Sequence, residues 1–267
     1  YASLLEGYKG IAKLTEGTDI TLNAMIVPTA VNIYSKKLPF GAVKGDQKAF
    51  LTQLQSDLAA SGINWIDLSE PFAACDKATQ LYYRTDHHWT SDAALLAYQT
   101  YNKTLGLNDS TTYSKKILSD SFKGTLSASS GLRTSETDEI YAYLPDQATD
   151  YTVSLTAENT KSASVFDVQS LSTKSQYNVF FGGNHPEVVI DSASDSKKVL
   201  MVFKDSYANC FVPFLIPDYA RIIMIDPRYY TEDISETIQS NGVTDILFLY
   251  NANTAAEDHS LYQLTAQ

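Results

Sequence analysis

Residues 198–206 read Lys198-Val199-Leu200-Met201-Val202-Phe203-Lys204-Asp205-Ser206. A continuous apolar run of this length reads as a strand buried on both faces, the kind found inside a parallel sheet. Two similar runs follow. Arg221-Ile222-Ile223-Met224-Ile225 stops at Asp226-Pro227-Arg228, and Asp245-Ile246-Leu247-Phe248-Leu249-Tyr250 stops at Asn251. The spacing predicts a helix over 207–216, and a second from Thr231 to Ser240 with Thr231 as its cap and Gly242 after its end. Apolar strands alternating with helices predict an α/β fold with a doubly wound parallel sheet flanked by helices.

The N-terminal part repeats this rhythm. Residues 20–27 predict a strand ending at Pro28, and 46–61 a helix with Phe50, Leu51, Leu54 and Leu58 on one face. Gly62 ends that helix and 63–68 predict another strand. Ser91 to Leu105 predicts a helix capped by Thr90 or Ser91 and stopped by Gly106. Residues 107–195 are richer in Ser, Thr, Asp and Tyr, with alternating runs at 141–144 and 151–155. They predict a β-rich insertion within a single 1–267 α/β domain.

Composition excludes some classes. The 267 residues are 44% hydrophobic and 19% charged, as expected for a globular core. The net charge of -11 argues against nucleic acid, or an anionic membrane, held by bulk electrostatics. The 18 tyrosines suit a glycan cleft, or simply amphipathic strand positions. Cys75 and Cys210 either pair or remain thiols. No apolar run reaches the ~20 residues of a membrane span. A chain starting at Tyr1 is expected to have lost a signal peptide or anchor, with an extracytoplasmic location.

Ligands in such sheets bind beyond the carboxyl ends of the strands. There the sequence places Ser206, Arg228 and Asn251. A serine on a strand-to-helix turn can act as a nucleophile if a base reaches it, with backbone N–H groups beside it for an oxyanion. The base is sought at Arg84-Thr85-Asp86-His87-His88-Trp89-Thr90, which holds two of the four histidines. Asp86, two residues before His88, can orient its ring. Taken singly, each residue has an ordinary structural role: a cap, a turn residue or a surface ion pair.

The run Tyr-Arg-Thr-Asp-His-His-Trp-Thr resembles the signature of the DHHW proteins, relatives of the SGNH hydrolase-like enzymes of alginate and cell-wall polysaccharide O-acetylation. The segments Val-Leu-Met-Val-Phe-Lys-Asp-Ser-Tyr-Ala-Asn and Ile-Asp-Pro-Arg-Tyr-Tyr are similar to that family too. The resemblance implies an SGNH-hydrolase-like fold in permuted order, the Asp/His pair preceding the serine. It implies Ser206, His88 and Asp86 as the catalytic Ser-His-Asp triad, and oxyanion or substrate contacts from Asn251 and Arg228. Asn184, in Phe181-Gly182-Gly183-Asn184-His185, is the rival asparagine. Tyr207 is expected beside the substrate, and His87 is structural or substrate-facing.

The function implied is an O-acetyltransferase of a cell-surface or secreted polysaccharide, working through an acetyl-serine without cofactor or metal. Its partners would be a glycan acceptor, or an acetylated sugar substrate, and a membrane-bound acyl donor protein. Three other readings stay open: a carbohydrate O-acetyl esterase, a glycan-binding module with an inactive triad, and a metal-dependent phosphoesterase. The last needs more ligands than His185 and His259 can add.

Overall fold

The computed structural model describes residues 1–107, 110–131 and 135–266. Parts of the expected insertion, at 108–109 and 132–134, lie outside the described residues. The strands are β1 (Thr21–Val27), β2 (Asn64–Trp65), β3 (Tyr113–Phe122), β4 (Asp138–Pro145), β5 (Tyr151–Leu155), β6 (Thr160–Ser162), β7 (Glu187–Ser192), β8 (Val199–Lys204), β9 (Arg221–Ile225) and β10 (Asp245–Asn251). Eight form one sheet in the order β2-β1-β10-β8-β9-β7-β5-β6. The first five are mutually parallel. β7, β5 and β6 extend the sheet antiparallel.

Side-chain alternation divides the core between the two faces. Leu200, Val202, Leu247, Leu249, Met25 and Val27 face one side, which is covered by the Ser91–Leu105 helix and Phe72 of the Ser69–Ala74 helix. Met201, Phe203, Ile246, Phe248, Ala24 and Ile26 face the other. That face is covered by the Ala2–Leu14, Gln47–Ala59 and Ile234–Ser240 helices and the two short C-terminal ones. Both faces are buried, so the strands are apolar throughout rather than alternating. Among the described residues no helix is long and apolar enough to cross a membrane.

Several expectations shift locally. The strand expected over 63–68 is only Asn64–Trp65, because Asp67 turns the chain by accepting the Ser69 N–H at 2.8 Å. The helix expected from Thr231 starts at Ile234, where Asp233 caps the Glu236 N–H at 3.0 Å. The helix expected over 207–216 is instead two 3-10 turns, Ser206–Cys210 and Val212–Leu215, since Pro213 has no N–H to continue an α-helix. Thr90 is the cap of the Ser91–Leu105 helix, and Gly106 ends it at φ +64°. Cys75 and Cys210 are separate free thiols; burial pushes the Cys210 thiol up to about 12.

The region between residues 107 and 195 does two jobs. β3 and β4 pair as a separate antiparallel ribbon, while β5, β6 and β7 complete the main sheet. The ribbon lies against the Asp-His-His loop through Asp138, at the start of β4. Its carboxylate accepts the N–H groups of Arg84 and Thr85 (2.9 and 2.8 Å) and the Thr85 hydroxyl (2.7 Å).

Candidate functional site

β8 lies inside the parallel part of the sheet, and Ser206 follows its last residue. Asp205 shapes the turn. One carboxylate oxygen accepts the Tyr207 N–H (2.9 Å), and the other accepts the Asn251 N–H and side-chain amide (2.9 and 2.6 Å). The serine is thus anchored to the end of β10 as well as to its own strand. Its hydroxyl is partly exposed and meets His88 Nε2 at 2.7 Å.

The His88 ring is fixed from every side. Its Nδ1 donates to Asp86 Oδ1 at 2.5 Å, so Nε2 is the nitrogen left to accept from Ser206. Asp86 also accepts the His88 N–H (2.9 Å), the Thr125 N–H (2.8 Å) and the Thr125 hydroxyl (3.2 Å). Burial pushes the Asp86 carboxyl up, but the hydrogen bond and charge of His88 and the two N–H donors outweigh it. The net result lies well below the usual carboxylate range. Tyr177 stacks flat on the His88 ring, with centroids 3.6 Å apart and planes 6° apart.

His87 points differently. Its side chain is 47% exposed and lies against His88 with centroids 3.9 Å apart. The Thr125 hydroxyl gives its proton to Asp86, so His87 Nδ1 must donate to that oxygen, at 2.6 Å. Burial and the neighbouring His88 charge lower its pKa. Asp86, His87 and His88 offer ligand atoms within 4.8 Å of one another, but a cation there would displace bonds the carboxylate already accepts.

The remaining expected contacts are distributed unlike the expectation. Tyr207, expected beside substrate, is buried and clasps the two motifs together. Its hydroxyl donates to the His87 carbonyl (2.5 Å), and its own carbonyl accepts from the Trp89 indole (2.9 Å). Asn251, expected as an oxyanion donor, spends its amide on Asp205 and on Thr254 Oγ1 (2.7 Å). Arg228, expected in the same role, makes a two-pronged ion pair with Asp226 (2.8 and 2.6 Å).

Asn184 has a freer amide. Its side-chain oxygen accepts from Lys204 Nζ (3.1 Å) and Asn209 Nδ2 (3.2 Å). Lysine can only donate, so the amide oxygen must face it and the NH2 must face outward, on an exposed residue. Lys204 itself is 1% exposed; burial lowers its pKa against the opposing charge of Asp226, 3.6 Å away, and Asp205. At the turn, the Tyr207 N–H is taken by Asp205. The Ser206 N–H has no partner among the described residues.

Sequence reasoning missed Gly124, Thr125, Asp138 and Tyr177. A Cβ on Gly124 would sit 2.0 Å from Asp86 Oδ2, so only glycine lets the Thr125 amide reach the carboxylate. No local signal marks these residues; they act through contacts distant in sequence.

A mostly parallel sheet, with a serine at a strand end facing a histidine from an earlier loop, defines the SGNH hydrolase-like class in permuted order. The chain belongs to the family described as SGNH hydrolase-like domain, acetyltransferase AlgX, which it matches over residues 6–174, more than half its length. No curated protein matches it. Among solved structures it is similar to a DHHW family protein from Eubacterium siraeum (24% identity, TM-score 0.82), covering 98% of this chain and 88% of that one. Bacillus cereus PatB1 with a sulfonyl adduct is similar at 21% identity and TM-score 0.80, covering 98% and 90%. The O-acetyltransferase domain of Pseudomonas putida AlgJ follows at 14% and 0.61, covering 99% and 89%. At these identities the likeness is one of fold.

Proposed function

We propose that this protein is an extracytoplasmic serine O-acetyltransferase that acylates a cell-surface or secreted polysaccharide through an acetyl-Ser206 intermediate. One observation carries the reading: the hydrogen-bonded line from Ser206 Oγ through His88 to Asp86, at 2.7 and 2.5 Å, joining motifs 118 residues apart. Membership of an acetyltransferase family supports the choice of acyl group.

In this reading His88 Nε2 takes the Ser206 proton as Oγ attacks the acetyl carbonyl carbon. The carbonyl electron pair moves to oxygen, where the Ser206 N–H and the outward Asn184 amide stabilise it. The intermediate collapses, and the donor's oxygen leaves with the proton from His88. A glycan hydroxyl then gives its proton to His88 and attacks the acetyl-serine; the ester bond to Ser206 breaks, His88 returns the proton to Oγ, and the glycan carries the acetyl group away. Asp86 stabilises the imidazolium formed in each half. The acyl donor is a membrane-bound protein and the acceptor a glycan. Water as acceptor would make the same residues an esterase.

The test is turnover of 4-nitrophenyl acetate, with and without an oligosaccharide acceptor whose acetylation is followed by mass spectrometry. Ser206→Ala is expected to abolish turnover and labelling by a sulfonyl fluoride. Undiminished turnover in that variant would refute the serine route, and release of acetate alone with every acceptor would favour the esterase.

A further inference from the structure

Beyond β1 the chain runs Lys36-Lys37-Leu38-Pro39-Phe40-Gly41-Ala42-Val43-Lys44-Gly45-Asp46-Gln47-Lys48. Residues 39–46 are exposed throughout, and Phe40 and Val43 have relative exposures of 109% and 99%. This is not a collapsed tail. The Ala42 N–H donates to the Pro39 carbonyl at 3.1 Å, and Gly41 sits at φ +81°. Those are the marks of a type II turn, with Phe40 at its corner. The turn therefore presents Phe40 and Val43 together as an apolar tip that would gain by entering an apolar phase.

The flanking charges say which phase. Lys36 and Lys37 precede the apolar tip, and Lys44 and Lys48 follow it. The one acid between them, Asp46, is occupied in capping the Ala49 N–H at 3.0 Å. A cationic collar around an apolar tip stands out on a protein of net charge -11. The acidic body is repelled by an anionic lipid surface, whereas the lysines of this loop are drawn to one.

Topology supplies the orientation. β1 is parallel to β10, and β10 to β8, so the loop leaves the sheet at the same end as Ser206. Two adjoining clefts, of about 810 and 430 Å³, share Asn32, Lys44, Gly45, Asp46 and Gln47. The smaller one extends to Asn253, beside the Asn251 that holds the serine turn.

We propose that the 36–48 loop is a membrane-surface anchor. Phe40 and Val43 enter the headgroup region of an anionic bilayer, and Lys36, Lys37, Lys44 and Lys48 contact its phosphates. The strand ends that carry Ser206 then face the bilayer. The inference stands apart from the acyl-transfer reading, because its test involves no chemistry at the serine.

The test is flotation with vesicles of phosphatidylcholine alone or mixed with phosphatidylglycerol. The protein is expected to float with the mixed vesicles only, and less as salt rises. The triple variant K36Q/K37Q/K44Q should weaken binding roughly fivefold per lysine removed. F40S/V43S should weaken it at least about tenfold while leaving 4-nitrophenyl acetate turnover unchanged. Failure to float with the mixed vesicles overturns the proposal and leaves the loop to a protein partner. Equal binding to both vesicle types overturns it, as does binding that survives F40S/V43S.

Discussion

The two halves of the site are held in different ways. Ser206 depends on the parallel sheet: its strand is flanked by two others, and the Asp205 carboxylate pins the turn to the end of β10. The Asp86–His88 loop belongs to no sheet. It is pinched by a bridge between Tyr82 and Trp89, clasped by Tyr207, and rests on Gly124, Thr125, Asp138 and Tyr177. The nucleophile is therefore positioned by backbone pairing, and the base by side-chain contacts from an irregular region. Damage to contacts around the base should cost activity first, and damage around the serine turn should cost mainly stability.

The sharpest break of this contrast is Asp86→Asn. An amide offers one acceptor oxygen where the carboxylate receives bonds on both. His88 would lose its fixed tautomer or Thr125 its partner. Turnover of 4-nitrophenyl acetate is expected to fall about 10³- to 10⁴-fold. On the proposed reading Asn184→Ala removes one oxyanion donor and should cost about 10²- to 10³-fold in kcat, together with some stability, because the buried Lys204 ammonium and Asn209 lose the oxygen they donate to. Gly124→Ala is the test on the ribbon side. Its new methyl must displace the Asp86 carboxylate, so about a 10²-fold loss is expected from misplacement of the base.

The counterpart on the serine side is Asn251→Ala. It removes the bond to Asp205 and the cap of the Ala252–Glu257 helix, whose Asn253 and Thr254 N–H groups the Asn251 oxygen accepts. Loss of a cap costs about 1 kcal/mol, to be read as a lower urea midpoint. Activity should fall only about tenfold, because β8 still carries the serine. An Asn251→Ala enzyme as crippled as Gly124→Ala would erase the distinction between the halves.

The same contrast governs what could be read in advance. Strands β8, β9 and β10 announce themselves as apolar runs, and a residue at the end of such a run is at the ligand-binding edge by topology alone. Ser206, Asp86 and His88 were legible because each lies in a compact local motif. Tyr177, Gly124 and Asp138 were not, because their roles consist of contacts with His88, Asp86 and Thr85, far away in sequence. Arg228 and Asn251 are the opposite case. Position at a strand end was visible, but not that Arg228 pairs with Asp226 and that the Asn251 amide is spent on Asp205 and Thr254. Charge is a third case. The net value of -11 speaks for the body of the molecule and conceals the lysine collar at 36–48.

The finest expected difference between the halves is in acid. Asp86 is held below its ordinary value of 3.8 in the folded protein, so folding makes it a weaker base. Such a group stabilises the fold fully above its unfolded pKa, and the contribution drains away as pH falls toward the folded value. The urea midpoint of the wild type should therefore decline as pH is lowered below about 4. Asp57, Asp146 and Glu158 are also lowered, each by side-chain hydrogen bonds, and they add to that decline. They are unchanged in Asp86→Asn, so they cancel when variant and wild type are compared. The variant should start less stable at neutral pH and lose less on acidification, the two curves converging in acid. Asn251→Ala retains Asp86 and should run parallel to the wild type. Parallel curves for both variants would mean that the Asp86 carboxylate gains nothing from the histidine it faces.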